Sequence, residues 1–292
     1  MLFLKDYPDI VTRDEPLAPH TYFGLGGPAE LVVRPRTMEE LVAVVRRCKE
    51  EQQPLRVLGG GCNLLVRDEG VRGVVVHLEG PEFCGIRVQG SRVQAGAAAL
   101  LSNAISQSVR EGLAGLETLV GIPGSIGGAL CMNAGGRAGD IGQFVCRATV
   151  MDAEGRVSER SRDEMSFAYR ESSLDEPLIL GGEFELEPGD PQEIVQRLRK
   201  LWIIKKTQQP LSSQSAGCIF KNPRELSAGM LLDQAGLKGT RVGGAEVSDR
   251  HANFIIAHEG ATAQDVLRLI DLVRGKVAER FGIELELEIH IW

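Results

Sequence analysis

Residues 121–136, GIPGSIGGALCMNAGG, limit what this chain can become more than any other stretch. Glycine stands at six of these sixteen positions and no residue is charged, so a long helix is excluded. Glycine permits φ > 0 and lets another molecule lie close to the main chain, and clustered amides without side chains form a concave donor surface. A flat or anionic ligand suits such a surface. Ile122, Ile126, Ala129, Leu130 and Met132 are interspersed with the glycines as in a buried segment, whereas a solvated linker would be richer in Ser, Glu and Lys. Composition alone favours a glycine-rich surface loop, so the decision rests on the remainder of the chain.

At 292 residues the chain exceeds one small core and suits two or three domains. Its 43% hydrophobic and 25% charged content is that of a globular protein able to bury such cores. The formal net charge of -7 argues against a general nucleic-acid binder, which needs a broad cationic footprint. An anionic ligand must therefore meet locally placed cations. The opening MLFLKDYPDIVTRDEP lacks a basic start followed by an apolar core, and no apolar run reaches roughly 18 residues. The expected location is the cytoplasm, without membrane insertion. Cys48, Cys62, Cys84, Cys131, Cys146 and Cys218 form no C-x-x-C pair and the histidines no H-x-x-x-H pair, so neither a disulfide scaffold nor a metal site is expected.

Gly24-Leu25-Gly26-Gly27-Pro28-Ala29 matches G-x-G-x-x-A in form. A dinucleotide fingerprint must follow a strand and open a helix, but Pro28 leads into strand-like residues 31–33, and a Rossmann reading is rejected. Thr37-Met38-Glu39-Glu40 reads as a capping box ahead of a helix with Leu41, Val44, Val45 and Cys48 on one face. Residues 55–58 form a buried-type strand that runs into Gly59-Gly60-Gly61-Cys62-Asn63-Leu64-Leu65. Three glycines after a strand make a nest of amides suited to a pyrophosphate, although the lysine of a P-loop is missing. Considered by itself, this loop reads equally as a tight structural turn.

Residues 74–78, 86–89 and 92–95 read as strands, the last two joined by Gln89-Gly90-Ser91 as a hairpin turn, 98–111 as a helix closed by Gly112, and 145–151 with 156–158 as a hairpin around Asp152-Ala153-Glu154-Gly155. A strand at 178–186 precedes a helix from Pro191 to about Lys206. Residues 253–257 then read as strand, 262–281 as a helix begun by Thr262 and Asp265 and ended by Gly282, and 284–291 as strand. In that last strand Leu285, Leu287, Ile289 and Ile291 alternate with Glu284, Glu286, Glu288 and His290. A period of two cannot single out one glutamate of the three.

A lone arginine such as Arg170, beside Tyr169, is ordinarily a surface ion-pair partner. A free cysteine is ordinarily a small buried hydrophobe. In SAGCIFKNP, however, a glycine precedes Cys218 while Lys221 and Asn222 follow, which makes it the best of the six for proton donation or nucleophilic work.

Taken in order, HTYFGLGGPAE, LGGGCNLL, GIPGSIGGALCMNAGG, FAYRES, SAGCIFKNP, VSDRHANFI and ELELEIHIW resemble the motifs of the UDP-N-acetylenolpyruvoylglucosamine reductase family, flavoenzymes of bacterial peptidoglycan synthesis. The resemblance spans nearly the whole chain. It implies an α+β protein with the FAD-binding fold of the vanillyl-alcohol oxidase type. Two FAD-binding α+β parts would occupy 1–80, with the pyrophosphate loop at 59–63, and 81–206, with the flavin loop at 121–136. A substrate-binding α+β domain would follow at 207–292. The short chain is similar to the compact second type, which lacks a tyrosine-bearing loop over the substrate, so closure must come from elsewhere.

By the same resemblance FAD, non-covalent because the loop holds no histidine, would be held by Gly59, Gly60, Gly61, Cys62, Asn63 and Leu64 and by Gly121, Ile122, Pro123, Gly124, Ser125, Gly127, Gly128, Ala129, Asn133, Ala134 and Gly135. NADPH would be the reductant and UDP-N-acetylglucosamine enolpyruvate the substrate of a monomeric enzyme, with Tyr169, Lys221 and Asn222 as substrate contacts. The catalytic positions fall on Arg170, Cys218 and Glu288. Arg170 would pair with the substrate carboxylate, a protonated Glu288 would donate to the developing enolate, and Cys218 would deliver the final proton.

Cys218 departs from the commoner serine, but a thiol of reference pKa about 8.5 is mostly protonated at neutral pH and is the better acid. Cys62 also replaces a serine and weakens one side-chain hydrogen bond. Gly24 and Ala257 stand where a basic residue and an asparagine are usual. Two other readings stay open: an FAD oxidase or dehydrogenase of the same fold acting on an alcohol or sugar, and a flavin-binding module without turnover.

Overall fold

The computed structural model describes residues 7–223 and 226–292. Its contacts divide the chain into two compact units. Residues 7–13, 31–60 and 72–204 form the first, and residues 14–30, 61–71 and 205–292 the second.

The first unit is built on a five-stranded sheet in the order Val157–Ser161, Val145–Met151, Leu178–Glu185, Arg92–Gly96 and Ile86–Gln89, each pair antiparallel. Both expected hairpins are present. At the second, the Asp152 carboxylate accepts the amides of Glu154 and Arg156 at 2.8 and 2.9 Å, an Asx turn that fixes the connection. Leu178–Glu185 is buried over seven of its eight residues, because it lies at the middle of the sheet with the helix Ile126–Cys131 against it. Gly182 makes that close approach possible, since a Cβ there would come within 2.9 Å of Leu130 Cδ1.

A four-stranded sheet runs in the order Val11–Pro16, Pro28–Val33, Val71–His77 and Leu55–Leu58, the last two parallel. The helix Met38–Glu50 buries Leu41, Val44, Val45 and Cys48, the four positions that its periodicity selects. Thr37 caps it by accepting the Glu40 amide at 3.3 Å. The Glu40 carboxylate takes the Arg36 amide at 2.7 Å and the Arg36 guanidinium at 2.9 Å. The last two residues of GLGGPA open the strand Pro28–Val33 where the fingerprint would need a helix, in keeping with its rejection.

In the second unit Arg241–Val242, Ala245–Val247 and Ile255–Ala257 form an antiparallel sheet against the helix Ala263–Phe281. Thr262 and Asp265 close a full capping box and Gly282, at φ 67°, ends the helix. The Asp68 carboxylate adds a distant cap, accepting the amides of Ala263 and Gln264 at 2.9 and 3.0 Å. Val266, Leu269, Ile270, Val273 and Val277 fill the core beneath it.

The strand expected at 284–291 is shorter than its pattern. Regular pairing is confined to His290–Ile291, parallel to Leu64–Leu65, with a single bridge from Leu287 to Phe220. The alternation of burial persists, Leu285 and Ile289 being buried. The ladder breaks because its partner changes: Glu286 and Glu288 bond Lys221 and Ile219, whereas His290 bonds Asn63. Among the described residues, no helix is long and apolar enough to cross a membrane.

Candidate active site

In the first unit the glycine-rich loop is shaped by what lies under it. Ser125 caps the helix Ile126–Cys131, its hydroxyl accepting the Gly128 amide at 3.4 Å. The amides of Ile126 and Gly127 donate to the carbonyls of Ala99 and Ala97 at 2.9 and 2.8 Å, and Leu101 donates to Gly124 at 3.0 Å. These bonds also explain why the preceding helix starts at Leu101 instead of residue 98. The amides of Ile126, Gly127 and Gly128 are thus engaged inside the protein, and glycine at 127 serves close packing: a Cβ there would lie 3.0 Å from Ala97 Cβ.

The first glycine of the triplet meets this loop. A Cβ on Gly59 would come within 2.8 Å of Ser125 Oγ. Neither 59–66 nor 121–136 contains an acidic residue, so an anionic pyrophosphate meets no repulsion from their side chains. Further along, Gly61 sits at φ 62° with its Cβ position 1.9 Å from the His20 carbonyl oxygen, so only glycine fits. The Cys62 thiol is hydrogen-bonded with Tyr22, and burial pushes it up to about 11. It is therefore neutral at pH 7 and adds no charge where a serine would be neutral as well.

Tyr169 and Arg170 occupy the turn between the two-residue strands Phe167–Ala168 and Glu171–Ser172. Tyr-Arg carries none of the usual turn chemistry, which is why the sequence conceals this hairpin. Arg170 has φ 59°, a conformation that costs a non-glycine residue on the order of 1–3 kcal/mol and that clusters at functional sites. Its guanidinium carbon lies 5.0 Å from the centre of the Tyr169 ring. The hairpin is tied to the glycine-rich loop twice. Asn133, 4% exposed, donates to the Ala168 carbonyl at 2.8 Å and accepts the Gly142 amide at 3.0 Å, and the Ser172 hydroxyl donates to the Cys131 carbonyl at 3.0 Å.

In the second unit Gly217, at φ 77°, turns the chain into residues 218–221. This segment runs between two others, bridging Phe254 at Cys218 and Leu287 at Phe220. Ile219 accepts the Glu288 amide at 2.8 Å, so Cys218 and Glu288 lie on directly paired segments. Glu284 and Glu286 are exposed while Glu288 is half-buried, a distinction that periodicity could not draw. Asn63 fixes the Glu288 main chain from the other side, its side-chain amide donating to the Glu288 carbonyl at 2.9 Å. Lys221 Nζ lies 3.6 Å from Glu286 Oε2, and the Asn222 side chain accepts the Ala228 amide at 2.9 Å, helping to start the helix Ala228–Gln234. Arg170 thus belongs to the first unit, and Cys218, Lys221, Asn222 and Glu288 to the second.

Asn253 escaped the sequence reading. It is 2% exposed, and its side chain grips both main-chain groups of Phe220, accepting the amide at 3.0 Å and donating to the carbonyl at 2.8 Å. The available signal was a polar residue at an apolar position between Ala252 and Phe254.

The family model for an FAD binding domain matches residues 29–161, and that for the C-terminal domain of UDP-N-acetylenolpyruvoylglucosamine reductase matches residues 209–292. The UDP-N-acetylenolpyruvoylglucosamine reductase of Heliobacterium modesticaldum is 42% identical over 290 residues, 98% of this chain and 92% of its own length. The chain belongs to the UDP-N-acetylenolpyruvoylglucosamine reductase family. Within that family, reductase 2 of Symbiobacterium thermophilum is 44% identical over 98% of this chain and 93% of its own. The crystal structure of the reductase from Thermus caldophilus superimposes with a TM-score of 0.83 at 38% identity, covering 97% of this chain and 98% of that one. The α+β FAD-binding fold expected from the motifs is therefore the fold of this family member, and the two acid-free loops that meet at Gly59 and Ser125 fit its cofactor.

Proposed function

We infer that this protein reduces UDP-N-acetylglucosamine enolpyruvate to UDP-N-acetylmuramate with NADPH, as an FAD-dependent oxidoreductase of bacterial peptidoglycan synthesis. The observation that carries the reading is family membership over 98% of the chain, in a protein with Arg170 and Glu288 at the expected catalytic positions and a thiol, Cys218, where serine is commoner. The chemistry supplied by bound FAD is the relay of a hydride equivalent from NADPH to the terminal carbon of the enol ether. Gly59 to Leu64 and the loop from Gly121 to Gly135 would hold it.

The work of the remaining residues follows from where charge develops. Addition at the terminal carbon puts negative charge on the neighbouring carbon and its carboxylate, and a positioned donor there is worth about 10²–10³ in rate. Arg170 pairs with the carboxylate. Glu288 supplies a hydrogen bond to the enolate oxygen. Cys218 gives its thiol proton to the carbon, completing the lactyl ether, a role worth about 10²–10⁴. Tyr169, Lys221 and Asn222 bind the substrate, whose diphosphate needs local cations in a chain of net charge -7. Support comes from the strained backbone at Arg170, the pairing of the segments bearing Cys218 and Glu288, and the half-burial of Glu288. The protein acts as a cytoplasmic monomer.

Cys218→Ala and Cys218→Ser test the assignment by rapid mixing of the FAD-loaded enzyme. The alanine variant is expected to keep NADPH-driven bleaching of the flavin and to lose recovery on adding substrate, by at least about 100-fold, while the serine variant recovers. Normal recovery in the alanine variant would remove Cys218 from the mechanism.

A further inference from the structure

Residues 218–221 carry Cys218 and Lys221 without a continuous ladder to hold them. Their strand contacts are the two single bridges to Phe254 and Leu287, and Gly217 breaks the backbone just before them. Asn253 takes the place of a strand partner. Its main-chain carbonyl accepts the Ile219 amide at 2.8 Å, and its side chain satisfies both the amide and the carbonyl of Phe220, a residue 1% exposed. A carboxamide presents one donor and one acceptor in a plane and so matches a peptide group; aspartate lacks the donor, and serine is too short to span both.

Asn253 is itself fixed by the turn it ends. Its amide donates to His251 Nδ1 at 3.2 Å, and the Ser248 hydroxyl accepts the amides of Arg250 and His251 at 3.2 and 3.4 Å. The Phe254 amide donates to the His251 carbonyl at 2.9 Å, and the His251 and Phe254 rings meet edge-on at 4.9 Å. The turn 248–254 is a polar frame whose last link is the Asn253 side chain on Phe220.

We propose that Asn253 is a positioning residue for the proton transfer, acting through Phe220 to set the place of Cys218. This rests on the reading of Cys218 as the proton donor. A displacement of about 1 Å in a reacting group costs on the order of 100-fold, so loosening one anchor two residues away is felt in the substrate half-reaction and not in the reduction of the flavin by NADPH.

Asn253→Asp keeps the acceptor for the Phe220 amide, removes the donor to its carbonyl and preserves size. In the FAD-loaded enzyme, bleaching by NADPH is expected to stay within about twofold of the parent, while recovery on adding UDP-N-acetylglucosamine enolpyruvate slows by about ten- to a hundred-fold. In a Cys218→Ala background the same substitution should slow recovery no further, because coupled residues are not additive. Wild-type recovery in Asn253→Asp, equal slowing of both half-reactions, or a full multiplicative effect on Cys218→Ala would each overturn the proposal. Should Cys218→Ala itself recover normally, the proton-donor reading is at fault and the positioning role falls with it. If Asn253→Asp does not load FAD, Asn253→Ser, which removes the grip on Phe220 without adding charge, replaces it with the same expected split.

Discussion

Asn133→Ala should separate the two tasks assigned to the first unit. Asn133 sits at φ 42° and is 4% exposed, and its carboxamide joins the glycine-rich loop to the hairpin that carries Arg170. Alanine leaves the amide of the buried Gly142 without its acceptor, at about 1–3 kcal/mol, and the carbonyl of the exposed Ala168 without its donor, at about 1 kcal/mol. A Cβ-only residue at positive φ adds about 1 kcal/mol. The sum is about 3–5 kcal/mol, read from urea unfolding of variant and parent followed by far-ultraviolet circular dichroism. The hydroxyl of Ser172 still holds Cys131, so the hairpin loosens without detaching. Because the Asn133 side chain is spent on Ala168 and Gly142, FAD added to saturation should still be reduced by NADPH, while recovery with substrate slows about tenfold. Asn133→Asp, which keeps the acceptor for Gly142 and loses the donor to Ala168, should show the kinetic defect with a smaller loss of stability. A stability change below about 1 kcal/mol would refute the accounting of these bonds. A large change with unaltered recovery would refute the claim that the hairpin positions Arg170.

Gly61→Ala places a Cβ 1.9 Å from a main-chain oxygen that cannot swing away, and should weaken FAD binding by at least about tenfold, measured by quenching of FAD fluorescence. Gly90→Ala, at a similar φ of 60° with open space around it, should cost only about 1 kcal/mol and leave FAD binding intact; equal behaviour of the two would deny the crowding at Gly61. Burial raises Cys62 from its ordinary 9.0 to about 11, so its contribution to stability is complete below pH 9 and is lost as pH rises through 11. That contribution is on the order of 2–3 kcal/mol, and Cys62→Ser should flatten the stability profile between pH 9 and 11 by roughly that amount in urea titrations; parallel profiles would contradict a buried thiol.

Local pattern sufficed for much of this molecule. The burial of Leu41, Val44, Val45 and Cys48, the hairpins at Gly90 and Gly155, and the capping of Ala263–Phe281 all follow from signals within a few residues of one another. What escaped depends on partners distant in sequence. Residues 284–291 alternate as a strand should, yet their partner changes from 219–221 to Asn63, and no periodicity encodes that exchange. Glu288 differs from Glu284 and Glu286 only in what covers it. The Tyr169-Arg170 turn is held by Asn133 and Ser172 in place of turn residues of its own. The glycine-rich loop was legible as special, but the engagement of its Ile126, Gly127 and Gly128 amides with Ala97, Ala99 and Ser125 was not.

The most direct test follows the visible flavin band of the purified protein under anaerobic conditions, first with NADPH and then with UDP-N-acetylglucosamine enolpyruvate. Bleaching on the first addition and full recovery on the second is the predicted result, because each half-reaction is then seen in turn. Bleaching without recovery would remove this substrate while leaving a flavoprotein, and a protein that shows no flavin band even after addition of FAD would contradict the account at its root.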